Sequence, residues 1–393
     1  MNNLSSPVPI IWLRNNLFNT WYNSLLTLIS IVFLFGIGSS FIQWALTEAK
    51  WTVIPANLRL FFVGRYPQDQ IWRVWITLGL IVANGGFSWG LLTRLNRLFD
   101  RTSLMIIGIL SMTCVAIAIP TKIYSSLFLL INLVLFIATA IVSKPLGKRF
   151  PKLVVFLPLI WFINFLIILL LLQGGLFLEV VRLDDLSGLI LTILTALVSI
   201  VLSFPFGILL ALGRQSNLPV IRWLSIAYIE IIRGLPLIGI LFMAQIMLPL
   251  VLSPDVRPDR VIRAIIGYTI FSAAYLAENV RGGLQSIPKG QYEAAKALGL
   301  NTPLSLALII LPQALKAVIP SMVGQFISLF KDTSLLAIIG LVDLLGISQS
   351  ILANPKYIGR YAEVYLFIAL IYFICCYAMS LAARKLEKQL ATE

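Results

Sequence analysis

The sequence contains no histidine in 393 residues. That removes the commonest general acid–base group and, with it, the usual serine and cysteine triads. Its three cysteines, Cys114, Cys375 and Cys376, all lie in apolar runs, where packing accounts for them. They support neither a disulfide framework nor a Cys/His metal cluster, so no metal site is expected. Charge is scarce as well: 12% of residues are charged and 59% are hydrophobic, where a soluble domain carries about a quarter charged. This composition belongs to an integral membrane protein.

Lys and Arg number 30 against 16 Asp and Glu, a formal net charge of +14. The basic residues are scattered between apolar runs, which fits the loops of a multispanning protein and not a nucleic-acid surface. The first apolar run, about 21 to 46, is too long for a signal-peptide core and lacks a cleavage site, so it is expected to remain as an anchor. No Gly-x-x-x-x-Gly-Lys-Ser/Thr loop occurs. Any energised work therefore needs a partner's nucleotide chemistry.

A spanning helix needs about 20 apolar residues. By that measure the chain is an all-α polytopic membrane protein of about ten transmembrane helices, near 21–46, 74–92, 104–119, 123–143, 153–173, 187–212, 234–252, 261–280, 303–326 and 362–383. Four basic segments are separated by even numbers of spans: Arg94/Arg97/Arg101, Lys144/Lys148/Arg149/Lys152, Arg214/Arg222 and Arg384/Lys385/Lys388. They set these loops and both termini in the cytoplasm. A change of character near residue 185 divides the chain. Upstream spans are plain Leu/Ile/Phe runs, whereas downstream spans carry Gly, Pro, Arg or Glu at positions that are costly in lipid. In the upstream part, Gly86 and Gly90 form a small-xxx-small pair suited to close packing, within the chain or with a partner.

Between two downstream spans lies SIPKGQYEAAKALGLNTPLSLALIILPQ, residues 286–313. Pro288 suits a first helical turn, the Ala/Lys/Leu run from Ala294 favours a helix, and Gly299 can go left-handed and end it. Asn301 or Thr302 then caps the next helix, with Pro303 in its first turn. Tyr292, Ala295 and Leu298 or Gly299 share a face suited to another surface's close approach. Plain helix composition explains the central six residues equally well; the wider spacing decides.

Glu293-Ala294-Ala295, three residues, Gly299, nine residues, then Ile309-x-Leu311-Pro312 resembles in full the Glu-Ala-Ala loop of binding-protein-dependent ABC importer permeases. Residues 186–393 look like the five-span type I core of the polar amino acid subfamily. The supporting strings are Arg233-Gly234-Leu235-Pro236-Leu237, Ala274 to Gly283, Ser286-Ile287-Pro288-Lys289-Gly290-Gln291 and Lys331-Asp332-Thr333-Ser334-Leu335-Leu336. Residues 1–185, with Trp12-Leu13-Arg14-Asn15-Asn16 and Trp21-Tyr22-Asn23-Ser24, are similar to the extra N-terminal spans of general L-amino-acid permease subunits, about five in number.

The resemblance implies a transport subunit that is not an enzyme and binds no cofactor, ATP and Mg being used by a partner. It implies a dimer of ATP-binding cassette subunits docked on a coupling helix near 288–298, through Gly290, Glu293, Ala294, Ala295 and Gly299. It also implies a second homologous permease, a periplasmic substrate-binding protein, membrane lipid around the spans, and an amino acid substrate, acidic or neutral.

Candidate pathway residues each have a plainer reading. Arg233, beside the helix-breaking Gly234 and Pro236, is either a gating residue partnered by Glu230 or a snorkelling anchor. Glu278 and Arg281 either line the route or satisfy each other. Lys331 and Asp332 interrupt an apolar stretch, and Asp332 before Thr333 and Ser334 suits the N-cap of a discontinuous helix. An ion-driven transporter would leave the Glu-Ala-Ala helix without purpose, and a membrane enzyme lacks the side chains.

Overall fold

The computed structural model describes residues 9–93 and 123–391 apart from 176 and 254–256, together with residues 104, 107, 108 and 111. The described chain is almost wholly helical, as a lipid-embedded chain must be, because hydrocarbon offers backbone N–H and C=O groups no partner outside the segment. Two isolated β-bridges, Gly175 with Leu178 and Gly188 with Asp343, are the exceptions among these residues.

Two compact units are present, residues 1–53 and 54–393. The first contains α1 (Pro9–Leu17) and α2 (Trp21–Gln43), which runs on as a π-helical turn to Glu48. Thr20 caps α2 by accepting from the Asn23 amide, and α2 buries none of its described residues within the chain. Such a helix, apolar on every side, suits lipid contact.

The second unit begins with α3 (Val53–Val63), α4 (Ile71–Leu92), α5 (Ile123–Arg149) and α6 (Leu157–Gln173). It continues with α7 (Gly188–Arg214), α8 (Pro219–Gly234), α9 (Leu237–Val251), α10 (Arg260–Ser286) and α11 (Lys289–Ala297). It closes with α12 (Thr302–Leu336), α13 (Leu344–Leu352) and α14 (Tyr361–Ala391).

Seven helices among the described residues are long and apolar enough to cross a membrane, or eight if the bent pair α8 and α9 is one span. Seven of the expected spans are among these; the other three fall at 104–119, 153–173 and 234–252. The 104–119 candidate lies almost wholly outside the described residues, as do Arg94, Arg97, Arg101 and Cys114. The 153–173 candidate loses its first turn to a 3-10 helix, Pro151–Phe156, so the 17-residue α6 reaches only about 25 Å against a hydrocarbon layer of roughly 30 Å. The 234–252 candidate is the outer limb of a chain that turns by 105° between α8 and α9, where Pro236 takes extended geometry (φ −63°, ψ 137°).

Helices in lipid gain little from hiding apolar side chains from one another, so close approach and polar contacts hold them together. α4 lies along α5 with Gly86 and Gly90 at the crossing, where a methyl group would run into the Phe136 carbonyl and Thr139 hydroxyl, or the Ala140 carbonyl and Ser143 hydroxyl. The glycine pair thus packs within the chain. Around it, Trp161 Nε1 donates to Ser88 Oγ at 2.9 Å, and the buried Arg73 donates to the Glu179 carbonyl at 2.8 Å.

Packing runs unbroken across residue 185: the Arg65 amide donates to Ser187 Oγ at 2.7 Å, and Tyr66, Phe165 and Leu172 share one apolar cluster with Leu191, Tyr268 and Leu329. The adjacent glycines of α4 provide a test. Gly86→Ala costs about 1–3 kcal/mol of overpacking, read as a lower unfolding temperature in detergent. Gly85→Ala, whose added methyl would rest 3.7 Å from the Phe136 ring, leaves that temperature within error; equal losses at both positions would refute the crossing.

Candidate functional site

α11 is a short helix joined to two spans by tight corners. Pro288 sits one residue earlier than expected, as the N-cap with extended geometry, and Lys289 opens the helix. At the other end, the Gly299 amide donates to the Lys296 carbonyl at 3.0 Å and the Leu300 amide to the Ala295 carbonyl at 3.1 Å. That pair of bonds is a Schellman motif, and it requires the left-handed φ of +75° that Gly299 adopts. Asn301 Oδ1 then accepts from the Leu304 amide at 3.0 Å and starts α12.

The faces of α11 differ from expectation in one respect. Ala295 is fully buried, and Tyr292 packs on the cluster containing Leu284 and Ile310, its hydroxyl donating to the Leu284 carbonyl at 3.3 Å. The Tyr292–Ala295 face therefore seats the helix on its own chain and is not the outward surface. Gly290, Glu293, Ala294 and Ala297 are exposed along the opposite side, and Leu298 is 76% exposed at its end. A side chain at Gly290 would meet open space.

About two helical turns before the end of α10, α7, α8 and α10 meet at one carboxylate. Glu278 of α10 accepts from Arg281 at 2.8 and 3.1 Å, from Arg214 of α7 at 2.9 Å, and pairs with Arg233 of α8 at 3.5 Å. Its side chain is only 15% exposed, so these charges interact more strongly than they would in water. The expected Glu230–Arg233 pair is not formed among the described residues; Glu230 instead receives Arg214 at 2.9 Å. Arg233 also lies 5.6 Å from the centroid of the Tyr275 ring. Arg214 is the member that sequence reasoning missed, because nothing local distinguishes it from other loop arginines.

Lys331 and Asp332 are elsewhere. The Tyr268 hydroxyl donates to the Asp332 carbonyl at 2.8 Å, and Tyr268 precedes Glu278 by ten residues of helix, about 15 Å. The structure thus brings Arg233, Glu278 and Arg281 together and leaves Lys331 and Asp332 apart from them. Asp332 does not cap a discontinuous helix: its backbone is helical (φ −64°, ψ −18°), its side chain makes no cap bond, and the chain continues as a 3-10 turn, Thr333–Leu336. The cap belongs to Asp343, whose Oδ1 accepts from the Gly346 amide at 2.9 Å and starts α13. Asp343 is fully buried.

Residues 203–392 match the family described as binding-protein-dependent transport system inner membrane component. An inner membrane amino-acid ABC transporter permease of Escherichia coli (strain K12), YhdY, is 37% identical over 400 residues, covering 98% of this chain and 93% of that protein. The chain belongs to the amino-acid ABC transporter permeases. A second permease that matches it along its length, BztC of the glutamate/glutamine/aspartate/asparagine transport system of Rhodobacter capsulatus, is 35% identical over 97% of the chain and 93% of its own length. The solved structure of an amino acid ABC transporter with histidines is 30% identical, covering 51% of this chain and 92% of that one, with a TM-score of 0.47.

This permease is therefore a multi-pass membrane subunit for transport, and its polar residues near α11 tie three helix ends together. Two outcomes follow. In double-mutant cycles read by unfolding in detergent, Glu278→Gln alone costs about 1–3 kcal/mol. Its coupling falls in the order Arg281, Arg214, Arg233, following bond number and length; the largest coupling at Arg233 would overturn the hub. Separately, burial pushes the Asp343 carboxyl up to about 7. Its contribution to stability is complete at pH values below the usual carboxylate range and is lost as pH rises to about 7. The permease should lose unfolding temperature between about pH 4 and 7 relative to Asp343→Asn, and parallel pH curves would exclude a raised Asp343.

Proposed function

We propose that this permease forms half of the pathway of an ATP-driven amino acid importer and docks an ATP-binding cassette subunit through α11. The observation that carries this reading is a short helix fastened between two spans, one face seated on its own chain and the other, Gly290, Glu293 and Ala294, presented outward. Insertion of an exposed helix face into a partner's groove is a recurrent recognition mode. Glu293 supplies the charged contact, Ala295 seats the helix, and Gly299 sets the corner that passes displacement into α12.

In this reading the ATPase subunits bind ATP and Mg and hydrolyse the nucleotide, and this chain holds no cofactor. One chain presents one docking helix, and a dimeric ATPase takes two, so a second homologous permease completes the assembly. Both termini and α11 lie in the cytoplasm in this reading, supported by the basic loops, and a periplasmic substrate-binding protein meets the opposite side. Residues 186–393 act as the five-span permease core and residues 1–185 as an N-terminal extension. In support, GlnP of Bacillus subtilis, named a probable glutamine permease, is 40% identical over 201 residues, 51% of this chain and 91% of its own. Acidic and neutral amino acids are the proposed substrates, supported by the transport system named for the Rhodobacter capsulatus relative.

Mechanically, a push on α11 reaches α10 through the Ser286–Lys289 corner and meets the Glu278 hub about two turns along. Because Glu278 holds α7, α8 and α10 at once, their inner ends move together or the ion pairs break. Alternating access needs a packed element with two discrete arrangements, and exchange of guanidinium partners at Glu278 provides one. Arg233, held at the longest distance, is the first to leave, and Lys331 and Asp332 border the pathway further along α12.

Reconstitution into proteoliposomes with the ATPase, the second permease and the binding protein tests this. Uptake persists when ion gradients are collapsed. Glu293→Arg and Gly290→Trp, both at exposed positions, lower substrate-stimulated ATP hydrolysis at least about tenfold, a loss of roughly 1.4 kcal/mol of coupling, while the permease still folds. Unchanged stimulation in both variants would refute docking through α11, and uptake that follows the ion gradient would refute the ATP-driven reading.

A further inference from the structure

The basic segment that ends α5 is not used by transport as described above. Lys148 and Arg149 occupy its last turn, and Lys152 follows on the 3-10 helix Pro151–Phe156; all three are exposed. None makes a salt bridge among the described residues. Acidic partners are distant in sequence as well, since no Asp or Glu occurs between residues 101 and 178.

The same turn exposes apolar side chains. Phe150 is 51% exposed, Val155 77% and Phe156 53%, and the Arg149 guanidinium lies 5.6 Å from the centroid of the Phe150 ring. Cations in the last turn of a helix favour its dipole, which accounts for Lys148 and Arg149 but not for Lys152 or the exposed rings. A general excess of cytoplasmic Lys and Arg accounts for charge, but not for three cations and three apolar side chains gathered on a single bend at the end of a span.

We propose that this bend, Lys148 to Phe156, is a binding site for anionic phospholipid. The three cations meet the phosphate-bearing headgroup, while Phe150, Val155 and Phe156 enter the boundary between headgroups and acyl chains, the arrangement of an interfacial anchor. The occupant is a lipid and not a free anion because Phe150, Val155 and Phe156 are exposed beside the cations, and a phosphate ion would leave them in water. The site lies in the N-terminal extension and gives that extension a task separate from the pathway: fixing its orientation and depth in an acidic leaflet.

Native mass spectrometry of the full-length permease, released from mixed micelles of phosphatidylglycerol or cardiolipin with phosphatidylcholine, tests the site. Each cation near an anionic surface contributes about fivefold, so three give on the order of a hundredfold preference for the anionic lipid. K148Q/R149Q/K152Q removes that preference at this site, so at least one fewer anionic lipid is retained. The charge-conserving K148R/K152R retains it, and Arg222→Gln, a change at an exposed cation in the first turn of α8, also retains it. Equal retention by the triple variant and wild type would overturn the proposal. So would an equal loss in Arg222→Gln, which would mean diffuse charge attraction, or displacement of the lipid by millimolar inorganic phosphate, which would mean an anion site only.

Discussion

A chain in hydrocarbon must satisfy its backbone internally, and it gains little from pressing one apolar helix against another. Everything cohesive in this permease follows from that constraint. Where helices cross closely, small residues let backbones approach, as Gly86 and Gly90 do against α5 and as Gly283 does against the Ala314 carbonyl of α12. Where they do not cross closely, polar side chains hold them. The irregular segments that lie beyond the spans close their own hydrogen bonds, through Gly299 after α11 and Asp343 before α13.

Glu278 is the strongest case, since it is a mostly buried carboxylate whose charge is tolerable only because guanidinium groups from three helices surround it. Removing one partner exposes the others to an uncompensated field, so the hub is stable as a set and sensitive as individuals. In the proposed docking at α11, a rigid α10 carries displacement from the corner at Ser286 to Glu278, about two turns from the end of that helix, whereas a loop would absorb it.

The bent pair α8 and α9 fits the same logic. The chain turns by 105° there; Gly234, Leu235 and Pro236 at the turn are exposed within the chain, and the Leu235 amide donates back to the Ile232 carbonyl at 3.3 Å. Leu237 and Leu241, just past the turn, are buried in the main apolar cluster with Tyr268 and Leu329. Arg233 sits at the break itself, so its side chain is free to reach across to α10 and is not bound to its own helix.

Much of this was legible in the sequence for reasons of length and backbone geometry. Hydrocarbon thickness sets the length of apolar runs, so most spans could be read directly; the first residues of the 153–173 run form a 3-10 helix ahead of α6, a change that no hydropathy window registers. Gly299 was legible because a left-handed corner selects glycine, and Asn301 because a cap is a local bond. The partners of Glu278 were not. A pair three residues apart, such as Glu278 and Arg281, is visible in one helix, but Arg214 lies 64 residues away and reaches Glu278 only once α7 and α10 are packed. The same holds for Asp332, locally as good a cap as Asp343: its side chain makes no cap bond, and its carbonyl takes the Tyr268 hydroxyl of α10. The sequence alone determined the spans, the corner and the family; the packed structure decided which charges meet and which side of α11 faces outward, because those depend on neighbours that no local pattern encodes.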